Sequence, residues 1–357
     1  MSILGQQKPH AAGQDYAPGA VVLAIDGGGS KTDVVALTVD GALVSRSRGA
    51  GSNPDTLGLE HSISVIRAAA EDALESSGGR QLIQTSIYLS GMDLLGQIDA
   101  FSAAISDERW AQGIADPPAI VDNDLFALLR AGTSELDAVA VVCGTGMNAV
   151  GVRSDGTTAR FPALGMISGD WGGGQFLGAQ ALWHAARSED GRGSKSLLEE
   201  LVPQAYGLSS VIEVIEGLHL KRIPARSVGH LAPVLFAAAS LGDAVAASQV
   251  DRQAQEIVIM AVTALRRLEL QHSNVPVILG GGVLASNDSR LISGIASGME
   301  QQAPHARIQL VTVPPILGAG LLALESIGAD TEAVSRAERN LREALDQGLG
   351  LVYEAGI

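Results

Sequence analysis

Residues 21–32 read VVLAIDGGGSKT, an apolar strand that ends in three glycines followed by polar side chains. The chain continues VVAL at residues 34–37 and reaches Asp40-Gly41, a dipeptide typical of a tight hairpin turn. Residues 139–148 repeat this plan as VAVVCGTGMN, and a further strand then leads to Asp155-Gly156. The repetition predicts two similar domains, each contributing a glycine-tipped hairpin to one ligand.

Both glycine turns suit a phosphate group. Glycine lets the backbone approach an anion closely, and consecutive N–H groups in such turns form a concave nest for phosphate oxygens. The sequence therefore predicts a nucleotide, and the candidate residues that bind it are Gly27, Gly28, Gly29, Ser30, Lys31, Thr32, Gly144, Thr145 and Gly146. Asp26 would repel phosphate, so we expect it to hold Mg²⁺ instead. The alternative is a pair of ordinary hairpins with glycine tips.

Two familiar nucleotide motifs do not match. A P-loop needs a glycine directly before its lysine, whereas Ser30 precedes Lys31. Both the P-loop and the dinucleotide-binding fingerprint must also open a helix, and here a second strand follows the glycines.

Composition limits the choice of partner and compartment. The chain has 357 residues and a formal charge of −15, which argues against nucleic acid. Its single cysteine, Cys143, fits a reducing cytoplasm, and no cluster of histidine and cysteine has metal-ligand spacing. No apolar run is long enough to span a membrane, and the polar segment before Val21 does not look like a signal peptide.

Strands and helices follow one another in the same order twice, which predicts the α/β class with mixed sheets flanked by helices. We expect a flexible tail over residues 1–20, an N-terminal domain over 21–131 and a C-terminal domain over 132–357. The second domain should contain a long helix within residues 244–270 and a terminal amphipathic helix over residues 331–347.

Four motifs together resemble the actin-like ATPase superfamily, and within it the N-acetylglucosamine kinase-like branch of the BadF/BadG/BcrA/BcrD ATPase family. They are the first phosphate motif at residues 26–32, the second at 144–148, GDWGGG at 169–174 and GGGV at 280–283. Val142 and Cys143 stand where actin and the heat-shock chaperones carry an aspartate ahead of the second motif, which disfavours a filament or a chaperone. The resemblance covers residues 21–327 and implies two ribonuclease H-like domains.

The resemblance also implies roles for individual residues. Asp122 would be the catalytic base that takes a proton from a sugar hydroxyl. The sugar would be bound by Asn53, Asp122, Thr145, Gly146 and Asp170, and adenosine by Gly280, Gly281 and Gly282. Trp171 departs from the family, which has glutamate at that position, so it either stacks on a sugar or anchors its loop.

Several of these residues have a plain structural alternative. Asp122 is also placed to cap the helix that follows it, Asp124 to cap or face solvent, and Asn53 to form a turn before Pro54. The glycines at 280–282 could simply let a strand turn into a helix. Cys143 suits a small core residue.

The resemblance implies an ATP-dependent kinase of an amino sugar, with N-acetylglucosamine giving its 6-phosphate as the leading reaction. ATP and Mg²⁺ would be the cofactors, a small-molecule sugar the partner and a homodimer a candidate assembly. One alternative is an activating ATPase for a CoA-dependent reductase or dehydratase, whose iron–sulfur cluster needs cysteines from each subunit. Others are a kinase of a different hexose or of a muramic-type sugar, and a sugar-binding protein without catalysis.

Overall fold

A computed structural model describes residues 16–17 and 19–347 of the chain. The tail expected over residues 1–20 lies almost entirely outside the described residues. The described residues form two five-stranded sheets flanked by helices, which confirms the predicted α/β class.

The strands of the first sheet are β1 Val21–Gly27, β2 Lys31–Thr38, β3 Leu43–Ala50, β4 Leu82–Leu89 and β5 Ala119–Asn123. Those of the second are β6 Ala138–Cys143, β7 Met147–Val152, β8 Thr158–Arg160, β9 Pro276–Gly280 and β10 Arg307–Leu310. The helices are α1 Pro54–Leu57, α2 Leu59–Ser76, α3 Leu95–Ala104, α4 Asp124–Gly132, α5 Gly174–Glu189, α6 Leu198–Ala205, α7 Val211–His219, α8 Ala232–Ser240, α9 Ala244–Arg267, α10 Gly282–Ala285, α11 Ser289–Gln302, α12 Ile316–Ser326 and α13 Thr331–Asp346. Short 3₁₀ helices occupy Arg109–Ala111, Gly165–Ile167 and Ala225–Leu231.

The two sheets have the same strand order. The first runs β3-β2-β1-β4-β5 and the second, read from the corresponding edge, runs β8-β7-β6-β9-β10. In the first sheet β1 pairs antiparallel with β2 and parallel with β4, and β4 pairs parallel with β5. The duplication and the mixed sheets predicted from the sequence are therefore confirmed.

Both Asp-Gly hairpins form as predicted. Gly41 has φ +87° and donates its N–H to the Thr38 carbonyl over 2.8 Å. Gly156 has φ +93° and donates to the Arg153 carbonyl over 2.8 Å. The positive φ at both turns is a conformation that glycine adopts without a steric cost.

Contacts divide the chain into two compact units. Of the described residues, the first unit comprises 16–17, 19–140, 150–162 and 313–347, and the second comprises 141–149 and 163–312. The sequence placed the domain boundary after residue 131, whereas these contacts assign α12 and α13 to the first unit. The reason is long-range packing of α12 against α4 and β1, which no local pattern records.

In the first unit, helices cover both faces of the first sheet. On one face, α2 and α3 enclose a core that includes Ile25, Ile66, Ile87 and Phe101, all with no exposed surface. On the other face, α12 packs against α4, with the Gly318 backbone so close that a Cβ there would lie 1.9 Å from the Ala127 carbonyl oxygen.

In the second unit, the long helix predicted within residues 244–270 is α9. It packs against α8 and α11. Ala254 and Val258 on α9 meet Gly294 and Gly298 on α11, where an added Cβ would lie 2.8 Å from either side chain. Small residues on one helix therefore let these two helices approach closely.

Within residues 16–17 and 19–347, no single helix combines the length and the hydropathy that crossing a membrane requires. One pair of helices, Ala225–Ser240 with Ala244–Arg267, meets the criterion only when taken together, and it is bent by 114°.

Gly318→Ala should destabilise the fold, because the new methyl group would overlap the Ala127 carbonyl. Overpacking of this kind costs about 1–3 kcal/mol, so we expect a lower melting temperature. Gly96 in α3 is the matched control, since a Cβ there meets no atom within 4 Å. Gly96→Ala should be neutral or stabilising, as alanine favours helix. Equal melting temperatures for the two variants would contradict the close packing of α12 on α4.

Candidate active site

The base of the first glycine hairpin is fixed by hydrogen bonds and close packing, and its tip is exposed to solvent. The Gly28 N–H donates to the Lys31 carbonyl over 2.9 Å, and Gly29 and Ser30 are exposed. The loop that follows β3 packs directly against the hairpin, since a Cβ on Gly51 would lie 2.2 Å from the Gly29 carbonyl oxygen. Ser52 donates its N–H to the Gly28 carbonyl over 2.9 Å. The tip therefore presents backbone and the Ser30 hydroxyl on a fixed base, as a phosphate cradle requires.

Two of the predicted phosphate-binding side chains have partners within the protein. The Thr32 hydroxyl is buried, 2.7 Å from the Ala50 carbonyl and 2.8 Å from the Ser52 hydroxyl. Lys31 donates to the Asp33 carboxylate over 2.6 Å. These contacts give Thr32 a structural role in the hairpin, and a phosphate contact by either side chain stays a prediction.

Asp26 lies at the end of β1 and is buried with a raised pKa. Burial, followed by the charges of Asp124 and Asp33, raises the pKa of Asp26 to about 8, against a lowering effect of Lys31. Asp33 itself pairs with Lys31 over 2.6 Å and with Arg48 over 2.5 Å. A nearby like charge disfavours the ionised form, which is why Asp124 and Asp33 raise the pKa of Asp26.

Asp124 is the first residue of α4, and its sequence context indicated no role beyond capping or solvation. Burial raises the pKa of Asp124 to about 6, although hydrogen bonds from the backbone N–H groups of Asp124 and Leu125 lower it. A carboxyl group with a pKa near neutral pH, beside a second acidic group, is a recognised property of catalytic sites. Its charge acts on Asp26 from 98 positions away in sequence, so no local signal could have found it.

Asp122 is buried and both of its carboxylate oxygens are engaged. Arg160 donates to Oδ1 over 2.7 Å and to Oδ2 over 2.8 Å, and the Asn123 N–H donates to Oδ1 over 2.7 Å. The alternative that Asp122 caps the next helix is wrong, because the cap of α4 is Asn123, whose side chain accepts from the Leu125 N–H. Asp122 instead lies within β5. The role of Asp122 as a base stays a prediction.

Asn53 joins two loops of the first unit. Its side-chain oxygen caps α1 by accepting from the Asp55 N–H over 2.8 Å, and its amide nitrogen donates to the Ser90 hydroxyl over 3.1 Å. The predicted turn role is therefore confirmed. Ser90 follows the end of β4, so Asn53 lies at the same edge of the first sheet as Asp26 and Asp124, and its contact with a sugar stays a prediction.

A residue that sequence reasoning missed lies between the two strand-end aspartates. The register of β1, β4 and β5 aligns Asp26 with Tyr88 and Tyr88 with Asp122. Tyr88 is fully buried, and its hydroxyl has no hydrogen-bond partner among the described residues. Burial, followed by the charges of Asp122 and Glu325, raises the pKa of Tyr88 well above its usual value. Tyr88 therefore stays neutral beside these acids.

In the second unit, three glycine motifs meet at one hairpin. The α5 N–H groups of Gly174 and Gln175 donate to the carbonyls of Gly144 and Thr145, over 2.7 and 3.0 Å. A Cβ on Gly281 would lie 2.5 Å from the Cys143 carbonyl oxygen. The structure thus brings the predicted second phosphate loop, the GDWGGG segment and the predicted adenosine motif together. Thr145 and Gly146 form an exposed tip, as Gly29 and Ser30 do in the first unit.

The buried side chain of Gln253 on α9 connects the GDWGGG segment with the second glycine hairpin. It has no exposed surface, its side-chain oxygen accepts from the Gly173 N–H over 3.0 Å, and its nitrogen lies 3.3 Å from the Met147 sulfur. The Gln253 side chain therefore links the GDWGGG segment to the strand that leaves the phosphate loop. Nothing in its local sequence distinguished it from other polar residues of a long helix.

Asp170 and Trp171 occupy different environments. Asp170 is half-buried, its N–H donates to the Gly165 carbonyl over 2.9 Å, and its carboxylate accepts from the Ser168 hydroxyl. Trp171 is buried, with the Phe176 ring centroid 4.9 Å away and the Arg252 guanidinium 4.3 Å above its ring. The contacts of Trp171 are those of a loop anchor, one of its two predicted roles.

Comparison with known proteins identifies relatives over most of the chain. The profile of the BadF/BadG/BcrA/BcrD ATPase family matches residues 23–323. An N-acetyl-D-glucosamine kinase of Dictyostelium discoideum is 23% identical over 86% of this chain and 98% of its own length. An N-acetylmuramic acid/N-acetylglucosamine kinase of Clostridium acetobutylicum is 27% identical over 85% of this chain and 97% of its own length.

Solved structures show the same fold. A candidate N-acetylglucosamine kinase from Chromobacterium violaceum superposes with a TM-score of 0.65 at 21% identity, covering 86% of this chain and all of that one. Another from Porphyromonas gingivalis gives a TM-score of 0.59 at 21% identity, covering 85% of this chain and 98% of that one.

The raised pKa of Asp26 makes stability depend on pH. Between about pH 4 and pH 8, the folded chain keeps a proton on Asp26 that the unfolded chain has released, so the free energy of unfolding falls as pH rises. Asp26→Asn removes this titration. Its stability relative to the wild type should rise by up to about 1.4 kcal/mol per pH unit within this window and level off above it.

Denaturant unfolding of both proteins at pH 5, 7 and 9 without metal measures this difference. A difference that is the same at all three pH values would contradict the raised pKa of Asp26.

Proposed function

The chain belongs to the BadF/BadG/BcrA/BcrD ATPase family, and from this membership and the site geometry we propose that it is an ATP-dependent kinase of an amino sugar. N-Acetylglucosamine, giving its 6-phosphate, is the leading substrate. The observation that carries the proposal is the placement of Asp26 and Asp124 together in the first unit, at the strand edge that also presents the glycine hairpin. Ligands of parallel sheets bind at the carboxyl ends of the strands.

The relatives support the choice of substrate. The Dictyostelium and Clostridium proteins both carry N-acetylglucosamine in their names, and the chain covers nearly their whole length. The Clostridium protein is also named for N-acetylmuramic acid, so a muramic-type sugar is the second candidate.

The residues of the first unit fit Mg²⁺. Among the described residues, no group of three or more metal-binding side chains exists. Mg²⁺ does not need one, since it is usually held by one or two carboxylates together with substrate phosphates and water. Asp26 would hold it, because a cation beside this carboxylate would offset the burial and the negative charges of Asp124 and Asp33 that raise its pKa. When bound, Mg²⁺ would neutralise charge on the transferred phosphoryl group.

Phosphoryl transfer needs positioning and charge stabilisation more than covalent chemistry. The exposed tips at Gly29-Ser30 and Thr145-Gly146 would each donate backbone N–H groups to phosphate oxygens. A sugar hydroxyl that attacks phosphorus must lose its proton to a base within hydrogen-bond reach. The base therefore has to be a carboxylate with a free acceptor position.

The contacts favour Asp124 over Asp122 as this base. Both oxygens of Asp122 already accept hydrogen bonds from Arg160, so a sugar hydroxyl would have to displace the guanidinium. Asp124 is partly exposed at the amino end of α4, and its pKa of about 6 leaves it largely ionised at neutral pH yet close to the pH at which a base works best.

The alternative function, an activating ATPase with an iron–sulfur cluster, is disfavoured because the single cysteine of the chain, Cys143, is poorly suited to bind a cluster. A cluster is held by cysteine thiolates. Burial raises the pKa of Cys143 to about 12, and the residue has no exposed surface. Mg²⁺, a cytoplasmic location and a homodimer remain predictions.

ADP release in the presence of ATP and Mg²⁺, measured across amino sugars and plain hexoses, tests the proposed function. We expect turnover with N-acetylglucosamine or N-acetylmuramic acid well above turnover with glucose. ADP release that no sugar stimulates would contradict the kinase assignment. Sugar binding without turnover would favour a non-catalytic binding protein.

Asp124→Asn and Asp122→Asn form a matched pair for locating the base. Neither removes the helix cap, which Asn123 provides, so both should fold. If Asp124 accepts the proton, Asp124→Asn should reduce kcat by about 10²–10⁴-fold with sugar still bound by calorimetry. Asp122→Asn should then cost distinctly less. The reverse order would return the base to Asp122.

A further inference from the structure

Arg160 spans the junction at which β5 becomes α4. Its guanidinium donates both ends of its fork to Asp122, over 2.7 and 2.8 Å, and lies 4.4 Å from the ring centroid of Phe126. Asp122 is on the strand side of the junction and Phe126 in the first turn of the helix. Asp124 lies midway between these two contacts in the chain.

The junction is also held from its other side. Asn123 donates its side-chain N–H to the Asp93 carboxylate over 2.9 Å and accepts the Leu125 N–H over 3.0 Å. Asp122, Asn123, Phe126 and Leu125 are all buried, whereas Asp124 is partly exposed. The residues around Asp124 are thus fixed by partners, and Asp124 is the partly exposed residue of the segment from Asp122 to Phe126.

We propose that Arg160 is a positioning residue, which clamps the β5–α4 junction so that the Asp124 carboxylate is presented to the sugar hydroxyl. This inference rests on the proposed kinase function and deepens it. In this role Arg160 acts through its contacts with Asp122 and Phe126. The role of the buried Asp122 is then to receive the clamp.

The clamp requires arginine. The planar guanidinium can donate two parallel hydrogen bonds to a carboxylate while its face lies on an aromatic ring. Lysine offers a single point charge without a planar face, so it cannot combine two parallel hydrogen bonds to Asp122 with stacking on Phe126. Removing the positive charge altogether leaves a buried carboxylate without its partner, which is strongly unfavourable and should let the junction shift. A misplacement of about 1 Å near a reacting group can cost on the order of 10²-fold in rate.

The experiment compares Arg160→Lys, Arg160→Gln, Asp122→Asn and the double variant Arg160→Gln/Asp122→Asn. Arg153→Gln is the matched control, since Arg153 pairs with Asp155 over 3.6 Å in the exposed β7–β8 turn of the same unit. Readouts are kcat, KM for sugar and ATP, sugar binding by calorimetry and melting temperature. The assay is sugar-dependent ADP release by the full-length chain with Mg²⁺.

We expect Arg160→Gln to lower kcat by about 10–100-fold while KM for ATP changes less than about twofold, because position and not nucleotide binding is lost. Arg160→Lys should recover part of kcat. The double variant should be no slower than the slower single variant, because both changes break the same clamp. Arg153→Gln should match the wild type.

Two results would overturn the inference. One is a folded Arg160→Gln or Arg160→Lys variant with wild-type kcat. The other is a double variant whose loss equals the product of the two single losses, which would mean that Arg160 and Asp122 act independently. A wild-type chain without sugar-dependent turnover would instead refute the proposed function. The wild type is assayed first, so this outcome is distinguished from a failure of the inference about Arg160.

Discussion

The register of three parallel strands decides where the chemistry of the first unit lies. Because β1, β4 and β5 are aligned, Gly27, Leu89 and Asn123 end level with one another, and Asp26, Tyr88 and Asp122 share one row on one face. A slip of one residue in any strand would turn its side chains to the opposite face. The glycine hairpin, the Asn53 loop and the amino end of α4 all start from this edge, so each depends on that alignment.

Aligning acids in this way has an electrostatic consequence. Three carboxylates lie at one edge of the sheet but have different surroundings: Asp26, Asp122 and Asp124. Asp122 is paired with Arg160, while the pKa values of Asp26 and Asp124 are raised by burial. Paired titratable groups in unlike environments are a common way in which one site separates structural from chemical roles.

Much of the fold followed from local patterns in the sequence, and parts of the site did not. Apolar strands, glycine tips and Asp-Gly turns predicted both hairpins, and their repetition predicted two sheets of one plan. Local pattern failed where the deciding contact is distant. Arg160 meets Asp122 from 38 positions away, and α12 returns to the first unit from the far end of the chain. The sequence also allowed Asp122 to cap the next helix, but β5 continues to Asn123, which provides the cap.

The central claim is that Asp124, held by the β5–α4 junction, receives the proton of the sugar hydroxyl. The most direct measurement is a crystal structure with N-acetylglucosamine, Mg²⁺ and a non-hydrolysable ATP analogue. We expect the 6-hydroxyl oxygen of the sugar within hydrogen-bond distance of the Asp124 carboxylate, with the Arg160–Asp122 pair intact. A 6-hydroxyl bonded to Asp122, with Arg160 displaced from it, would contradict this account.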